Sequence, residues 1–203
     1  MTTRRDFLKT MTMASAGLAF GAGDVLGARA STTQRKVTDK VKIAYIGIGN
    51  RGEQIINDFA RTGMVEVVAL CDVDMGAAHT QKVMNQYPKA KRFRDFRQMF
   101  DKAGNDFDAV AIATPDHSHF PISMLALASG KHVYVEKPLA RTFYEGELLM
   151  QAALKRPNLA TQVGNQGHSE ANYFQFKAWM DAGIIKDVTA VTAHMNNPRR
   201  WHK

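Results

Sequence analysis

Val41-Lys42-Ile43-Ala44-Tyr45-Ile46 runs straight into Gly47-Ile48-Gly49-Asn50-Arg51-Gly52, and Asp72 stands 20 residues beyond Gly52. The first six residues form a short apolar run that reads as a buried strand. The next six match G-x-G-x-x-G, in which each glycine has its own reason. Gly47 allows the tight turn, Gly49 lets the backbone approach a pyrophosphate, and Gly52 lets the following helix pack against the strand. A helix N-terminus at this point offers free N–H groups and a positive dipole end to phosphate oxygens. Alone the glycine pattern is weak; between a strand and a helix, with an acidic residue ending the next strand, it is strong. A carboxylate at Asp72 accepts hydrogen bonds from a ribose diol and repels a 2′-phosphate, which favours NAD over NADP, although Arg51 softens that preference.

Outward from this turn, strand and helix signals alternate. Ile55, Ile56, Phe59 and Ala60 recur at helical spacing, with Gly63 as a left-handed stop. Val65–Cys71 is rich in β-branched residues and reads as a strand. A helix is expected over 75–86, with Asp74 as its N-cap and Pro88 beyond its end. A short strand near Arg92 and Phe93 leads to Asp95, which caps a helix with Gln98 three places on. Strands are expected at 109–113, 132–135 and 161–164. A helix opened by Pro121 and closed by Gly130 lies between the first two, and one started by the capping box Thr142-x-x-Glu145 precedes the third. This alternation argues for an α/β fold, a Rossmann-type doubly wound parallel sheet over residues 41–167. After it, Tyr173, Phe174, Phe176, Trp179 and Met180 make an apolar helix ending at Gly183, and 188–194 reads as one strand. Residues 168–203 are therefore expected to begin an α+β second domain that is cut short. One strand makes no sheet and leaves its edges exposed.

The 203 residues carry 27 Lys and Arg against 19 Asp and Glu, a net charge of +8. Four of those basic residues (Arg4, Arg5, Lys9, Arg29) and two acidic ones (Asp6, Asp24) fall in residues 1–30, which leaves +6 for the rest. The cluster Lys89, Lys91, Arg92, Arg94 and Arg97 has no interleaved aromatic platform and reads as a solvated helix start, not a nucleic-acid surface. The single cysteine, Cys71, excludes an intramolecular disulfide. Residues 1–30 open on Arg4-Arg5-Asp6-Phe7-Leu8-Lys9, continue through a modestly apolar stretch from Met11 to Leu26 and end on Ala28-Arg29-Ala30. That order is the one of a cleavable export signal, and the paired arginines resemble a twin-arginine (Tat) signal. The expected partner is the Tat machinery and the expected location the periplasm. Glycines and Asp24 interrupt the stretch, which argues against stable membrane insertion. Residues 31–40 read as a polar linker.

Two later segments carry chemistry. Thr114-Pro115-Asp116-His117-Ser118-His119 follows the fourth strand, and Glu136-Lys137-Pro138 follows the fifth. Both fall at C-terminal strand ends, where open α/β sheets place their ligands. Taken bare, Lys137 is a surface cation and His117 with His119 a possible metal pair, but no third ligand accompanies them and no metal site is expected. G-x-G-x-x-G, an acidic end to the second strand, T-P-x-x-x-H and E-K-P, in this order, closely resemble the Gfo/Idh/MocA family of sugar-acting oxidoreductases. Gly164-Asn165-Gln166-Gly167-His168-Ser169 is similar to its exported bacterial branch.

The resemblance implies roles for particular positions. Gly47, Gly49, Asn50, Arg51, Gly52 and Asp72 would hold the adenosine and pyrophosphate half of NAD. Thr114, Pro115 and His119 would line the nicotinamide side, together with Asn165 and Gln166, and Glu136 would hold the nicotinamide ribose. Lys137 would reach the substrate hydroxyl or carbonyl; His117 and His168 are left as loop histidines. Independently of the family, oxidising an alcohol needs a base for its proton while hydride leaves carbon for a nicotinamide, and a cation steadies the developing alkoxide. In the family this proton transfer involves an Asp and a His at D-x-x-x-H spacing in the second domain, and no such motif occurs after residue 168. Three functions follow: an NAD-dependent sugar or polyol dehydrogenase, a lyase, hydrolase or epimerase of glycosides that uses tightly held NAD with no net redox change, or an inactive dinucleotide-binding fragment. A full-length form is expected to be a homo-oligomer.

Overall fold

The computed structural model describes residues 40–194; the twin-arginine segment, all but the last residue of the linker and the final nine residues lie outside them. Six strands alternate with helices: β1 (Val41–Ile46), α1 (Arg51–Arg61), β2 (Val65–Cys71), α2 (Ala78–Gln86), β3 (Lys91–Phe93), α3 (Phe96–Ala103), β4 (Ala109–Ile112), α4 (His119–Ala128), β5 (His132–Glu136), α5 (Phe143–Leu154) and β6 (Thr161–Gly164), followed by α6 (Ala171–Asp181). All pairings are parallel and the strand order is β3-β2-β1-β4-β5-β6. The chain therefore winds outward from β1 in one direction, then crosses back to β4 and winds out in the other. This is the Rossmann arrangement, and it opens a crevice between the C-terminal ends of β1 and β4.

The sequence explains why these segments pair. A strand covered by helices on both faces has no polar side, and β4 (Ala-Val-Ala-Ile) is buried at all four positions. Ile43, Tyr45, Leu70, Ala109 and Ala111 face one way, packing with Ile55 and Ile56 of α1 and Val83 and Met84 of α2. Ala44, Ile46, Val110, Ile112, Val133 and Val135 face the other, against Met99, Phe100, Ile122, Ala126, Leu127 and Leu149. Each fully buried Ile, Leu or Val contributes about 1.5–3 kcal/mol over its exposed state. β3 and β6 are the short edge strands, and Thr161 and Gln162 of β6 stay exposed.

Helix ends follow local chemistry with one correction, and one expected strand does not form. Gly63, at φ 70, ends α1 as its N–H donates to the Ala60 carbonyl. Thr142 and Glu145 form a reciprocal capping box on α5. Asp95 caps α3 by accepting from the Arg97 amide. The helix expected over 75–86 starts three residues later, at Ala78, with Ala77 and not Asp74 at its cap. Asp74 is held back by its own N–H, which donates to Asp72 Oδ1, and its carbonyl takes the Thr80 hydroxyl. The strand expected over 188–194 is irregular and exposed. Its β-branched residues suit a strand, yet no neighbouring strand lies beside it among the described residues, and an isolated strand has nowhere to put its ladder hydrogen bonds.

Candidate functional site

The glycine turn is shaped by atoms that leave no room for a side chain. Gly47 sits at φ 80, and a Cβ there would lie 2.6 Å from the Ala113 carbonyl oxygen and 2.8 Å from the Thr114 nitrogen. A Cβ on Gly52 would collide with the Gly47 carbonyl, and one on Gly49 with the His79 imidazole. Asn50 turns the chain into α1 at φ 47 and ψ −102, a strained conformation for a residue with a side chain, and its side chain makes no capping bond. Among the described residues the amides of Gly49 and Asn50 donate to no acceptor, so the start of α1 presents N–H groups to the crevice.

Asp72 braces this turn. Its Oδ2 accepts from the Ile48 amide at 2.9 Å and its Oδ1 from the Asp74 amide at 3.0 Å. Each carboxylate oxygen has a further lone pair, so these bonds orient the group and leave acceptors for a diol. Next to it Cys71 is buried, and burial first, then the charges of Asp95 and Asp72, push its thiol up to about 12. It stays a neutral thiol.

Across the crevice β5 delivers Glu136, only 4 % exposed. Its Oε1 accepts from Arg51 Nε at 3.0 Å, Arg51 Nη2 at 2.9 Å and the Tyr134 hydroxyl at 3.3 Å. All three bonds fall on Oε1 and none on Oε2. Burial alone would lower the basicity of Arg51, but the hydrogen bonds and charge of Glu136 outweigh it and hold the guanidinium above its ordinary value. The Tyr134 hydroxyl is raised by burial and by the adjacent Glu136 carboxylate. Gly164 completes this corner, since a Cβ there would come within 2.5 Å of Glu136 Oε1 and 2.6 Å of the Tyr134 hydroxyl.

Between these walls lies a cleft of about 320 Å³ lined by Arg51, Ala113, Thr114, Asp116, His119, Glu136, Lys137 and Gln166. Six of the thirteen positions singled out from the sequence, Arg51, Thr114, His119, Glu136, Lys137 and Gln166, thus meet in one place. Pro115 steers the chain into a single 3-10 turn, Asp116–Ser118, on which His117 is exposed. Thr114 Oγ1 is buried with no hydrogen-bond partner among the described residues. Lys137 is exposed at the cleft, where the Lys137–Pro138 peptide is cis. Asn165 and His168 are exposed outside that lining. His119, which lines the cleft, is 1 % exposed, with Nδ1 2.6 Å from the Pro138 carbonyl oxygen and Nε2 2.8 Å from that of Thr114. Each ring nitrogen faces a backbone carbonyl and the one that carries the proton donates, so the ring packs between the β4 loop and the β5 loop. Among the described residues no group of three or more His, Cys, Asp or Glu side chains is placed to hold a metal ion. No helix among them is long and apolar enough to cross a membrane.

A bare glycine cradle, unused amides at a helix start, an oriented carboxylate at the second strand and an orphaned threonine hydroxyl suit a dinucleotide lying across the crevice. Residues 41–165 match the model of an oxidoreductase family described by its NAD-binding Rossmann fold, GFO_IDH_MocA. The chain belongs to the Gfo/Idh/MocA oxidoreductase family. Its cofactor is NAD. Over 161 residues it is 31 % identical to glycosyl hydrolase family 109 protein 2 of Shewanella sp. (strain ANA-3), covering 70 % of this chain and 35 % of that protein. Over 147 residues it is 31 % identical to inositol 2-dehydrogenase of Salmonella paratyphi B, covering 71 % and 43 %. Among solved structures, scyllo-inositol dehydrogenase from Lactobacillus casei with NAD(H) and scyllo-inositol superposes with a TM-score of 0.66 at 27 % identity, covering 74 % of this chain and 44 % of that one. The chain thus spans less than half the length of these relatives.

Proposed function

We propose that this protein is the cofactor-binding part of an exported NAD-dependent oxidoreductase that acts on a hydroxyl of a sugar, polyol or glycoside. The observation that carries this reading is the cleft where Glu136 at the end of β5, Lys137 just after it, Thr114 just after β4 and Arg51 from α1 converge. The amides of Gly49 and Asn50 and the Arg51 guanidinium hold the pyrophosphate, and Asp72 takes the adenosine ribose diol. Glu136, with Oε1 committed to Arg51 and Tyr134, offers Oε2 to the second ribose. NAD, when bound, supplies the two-electron acceptor. Lys137 stands at the mouth of the cleft to take up the proton of the substrate hydroxyl or pass it on, and its charge steadies developing negative charge on that oxygen. Gln166 lines the same space. Export by the Tat machinery, read from Arg4 and Arg5, suits a protein that loads its dinucleotide in the cytosol. The full-length form is a homo-oligomer.

A second reading has its own support. A glycosyl hydrolase family 109 protein is as similar to this chain as an inositol dehydrogenase is, and an exported enzyme has no ready supply of fresh NAD. Tightly held NAD would then serve oxidation followed by re-reduction, with no net redox change. Incubating the full-length protein with inositols and with aryl glycosides, and following reduced nicotinamide and released aglycone together, separates the two. Reduced nicotinamide accumulating with an inositol supports the dehydrogenase; aglycone release without it supports the hydrolase. Neither signal with a fully loaded protein leaves a dinucleotide-binding unit without activity of its own.

A further inference from the structure

The G-x-G-x-x-G turn accounts for its glycines but not for what lies on top of Gly49. The imidazole of His79, in the first turn of α2, packs against this glycine so closely that a Cβ there would overlap Cδ2 of the ring. His79 belongs to the opposite wall of the turn, 30 residues downstream of Gly49, and α2 holds it there because Thr80, Val83 and Met84 bury the other side of the helix. The ring is exposed, and among the described residues neither nitrogen has a hydrogen-bond partner. Buried core histidines look different: His119 in this same fold has both nitrogens within hydrogen-bond distance of backbone carbonyls. No acidic side chain occupies the first turn of α2.

We propose that His79 is a further cofactor-binding residue, donating a ring N–H to the adenosine-side phosphate or ribose of NAD as the dinucleotide crosses Gly49. The inference rests on NAD lying over the glycine turn. Three neighbours bound the position: Gly49 beneath the ring, the free amides of Gly49 and Asn50 that await the pyrophosphate, and Asp72, whose Oδ2 is anchored one residue away on the Ile48 amide. A donor above the second glycine supplies the phosphate or ribose oxygens with a partner on the side that the α1 amides cannot reach.

ADP is the probe, because it carries the adenosine half and lacks the nicotinamide half. Dissociation constants for ADP and NAD are measured by calorimetry for the parent, His79→Phe and His79→Ala. Phenylalanine keeps a ring on Gly49 and removes the donor. The expected result is that both variants bind ADP and NAD about tenfold more weakly, the size of one hydrogen bond to a charged group. Parental affinity for both ligands in His79→Phe, with loss only in His79→Ala, would make the ring a packing element and overturn the proposal. Parental affinity in both variants would overturn it too. A parent that binds neither ADP nor NAD would instead contradict the placement of the dinucleotide on the glycine turn, a different failure that the parent measurement alone reveals.

Discussion

Replacing Arg51 by methionine isolates the ion pair that crosses the cleft. Glu136 is 6 % exposed at its side chain and Arg51 31 %. In the variant the Glu136 carboxylate keeps only the Tyr134 hydroxyl, 3.3 Å away, and loses both guanidinium bonds. Removing one partner of a fully buried pair costs about 3–5 kcal/mol, whereas exposed pairs are worth about 0–1 kcal/mol. One end here is buried and the other is a third open, so water partly screens the pair and Arg51→Met should cost about 2 kcal/mol. Glu136→Gln keeps a hydrogen-bond acceptor for Arg51 and removes the buried charge, and should cost about 1 kcal/mol. The double variant strands no charge. It should be more stable than the sum of the single losses implies, by a coupling of about 1–2 kcal/mol. Urea unfolding of the four proteins without NAD gives all these values. An Arg51→Met protein within about 0.5 kcal/mol of the parent, or strictly additive losses, would refute the reasoning, because either means that the carboxylate never depended on the guanidinium.

Other expectations follow from the same geometry. Asp72→Ala should narrow the preference for NAD over NADP in competitive binding, and equal affinity of the parent for both cofactors would sink that role. Gly52→Ala should fail to fold or bind NAD, since the added methyl meets the Gly47 carbonyl; an intact cofactor complex would contradict the packing described. The buried Cys71 thiol is raised to about 12, so the folded state holds its proton where the unfolded chain has lost it. Its stabilising effect is therefore complete below pH ~8.5 and is lost as pH rises toward 12, at up to about 1.4 kcal/mol per pH unit. Cys71→Ala should flatten this alkaline fall in urea-unfolding stability, and an unchanged slope would count against it. Changing Arg4 and Arg5 together to lysine should leave the protein in the cytoplasm with its N-terminal segment uncleaved; continued export would show the twin-arginine reading to be wrong.

What could be read from the residue string is what is local. The glycine turn, the Gly63 stop, the Asp95 cap and the Thr142–Glu145 box each depend on groups within a few positions, and their chemistry is visible in the letters. The Arg51–Glu136 pair joins residues 85 apart, and no spacing rule announces it. The place of His119 was equally hidden, because its partners are two backbone carbonyls and not side chains. It nonetheless explains why T-P-x-x-x-H and E-K-P belong together: one ring holds Thr114 against Pro138. His79 carried no signal until α2 was seen to lay it on Gly49. The strand expected at 188–194 shows the opposite limit, since β propensity describes a fit to a neighbouring strand and none lies beside it among the described residues. The shift in register between Ile43 and Ala44 against β2 is another feature of pairing that one strand alone does not display.

The glycine turn and the turn after β5 divide the labour, one holding NAD and the other serving the reacting centre. The decisive measurement is NAD affinity by calorimetry alongside turnover, in the full-length protein, for Lys137→Ala and Gly49→Val. Lys137→Ala should keep parental NAD affinity and lose turnover by roughly 10²–10⁴-fold, the usual contribution of a positioned acid or base. Gly49→Val should lose NAD outright, because its side chain collides with the His79 imidazole and blocks the backbone's approach to the pyrophosphate. Near-parental turnover in Lys137→Ala, or a loss of NAD as complete as that of Gly49→Val, would contradict the placement of the reacting centre at Glu136-Lys137-Pro138.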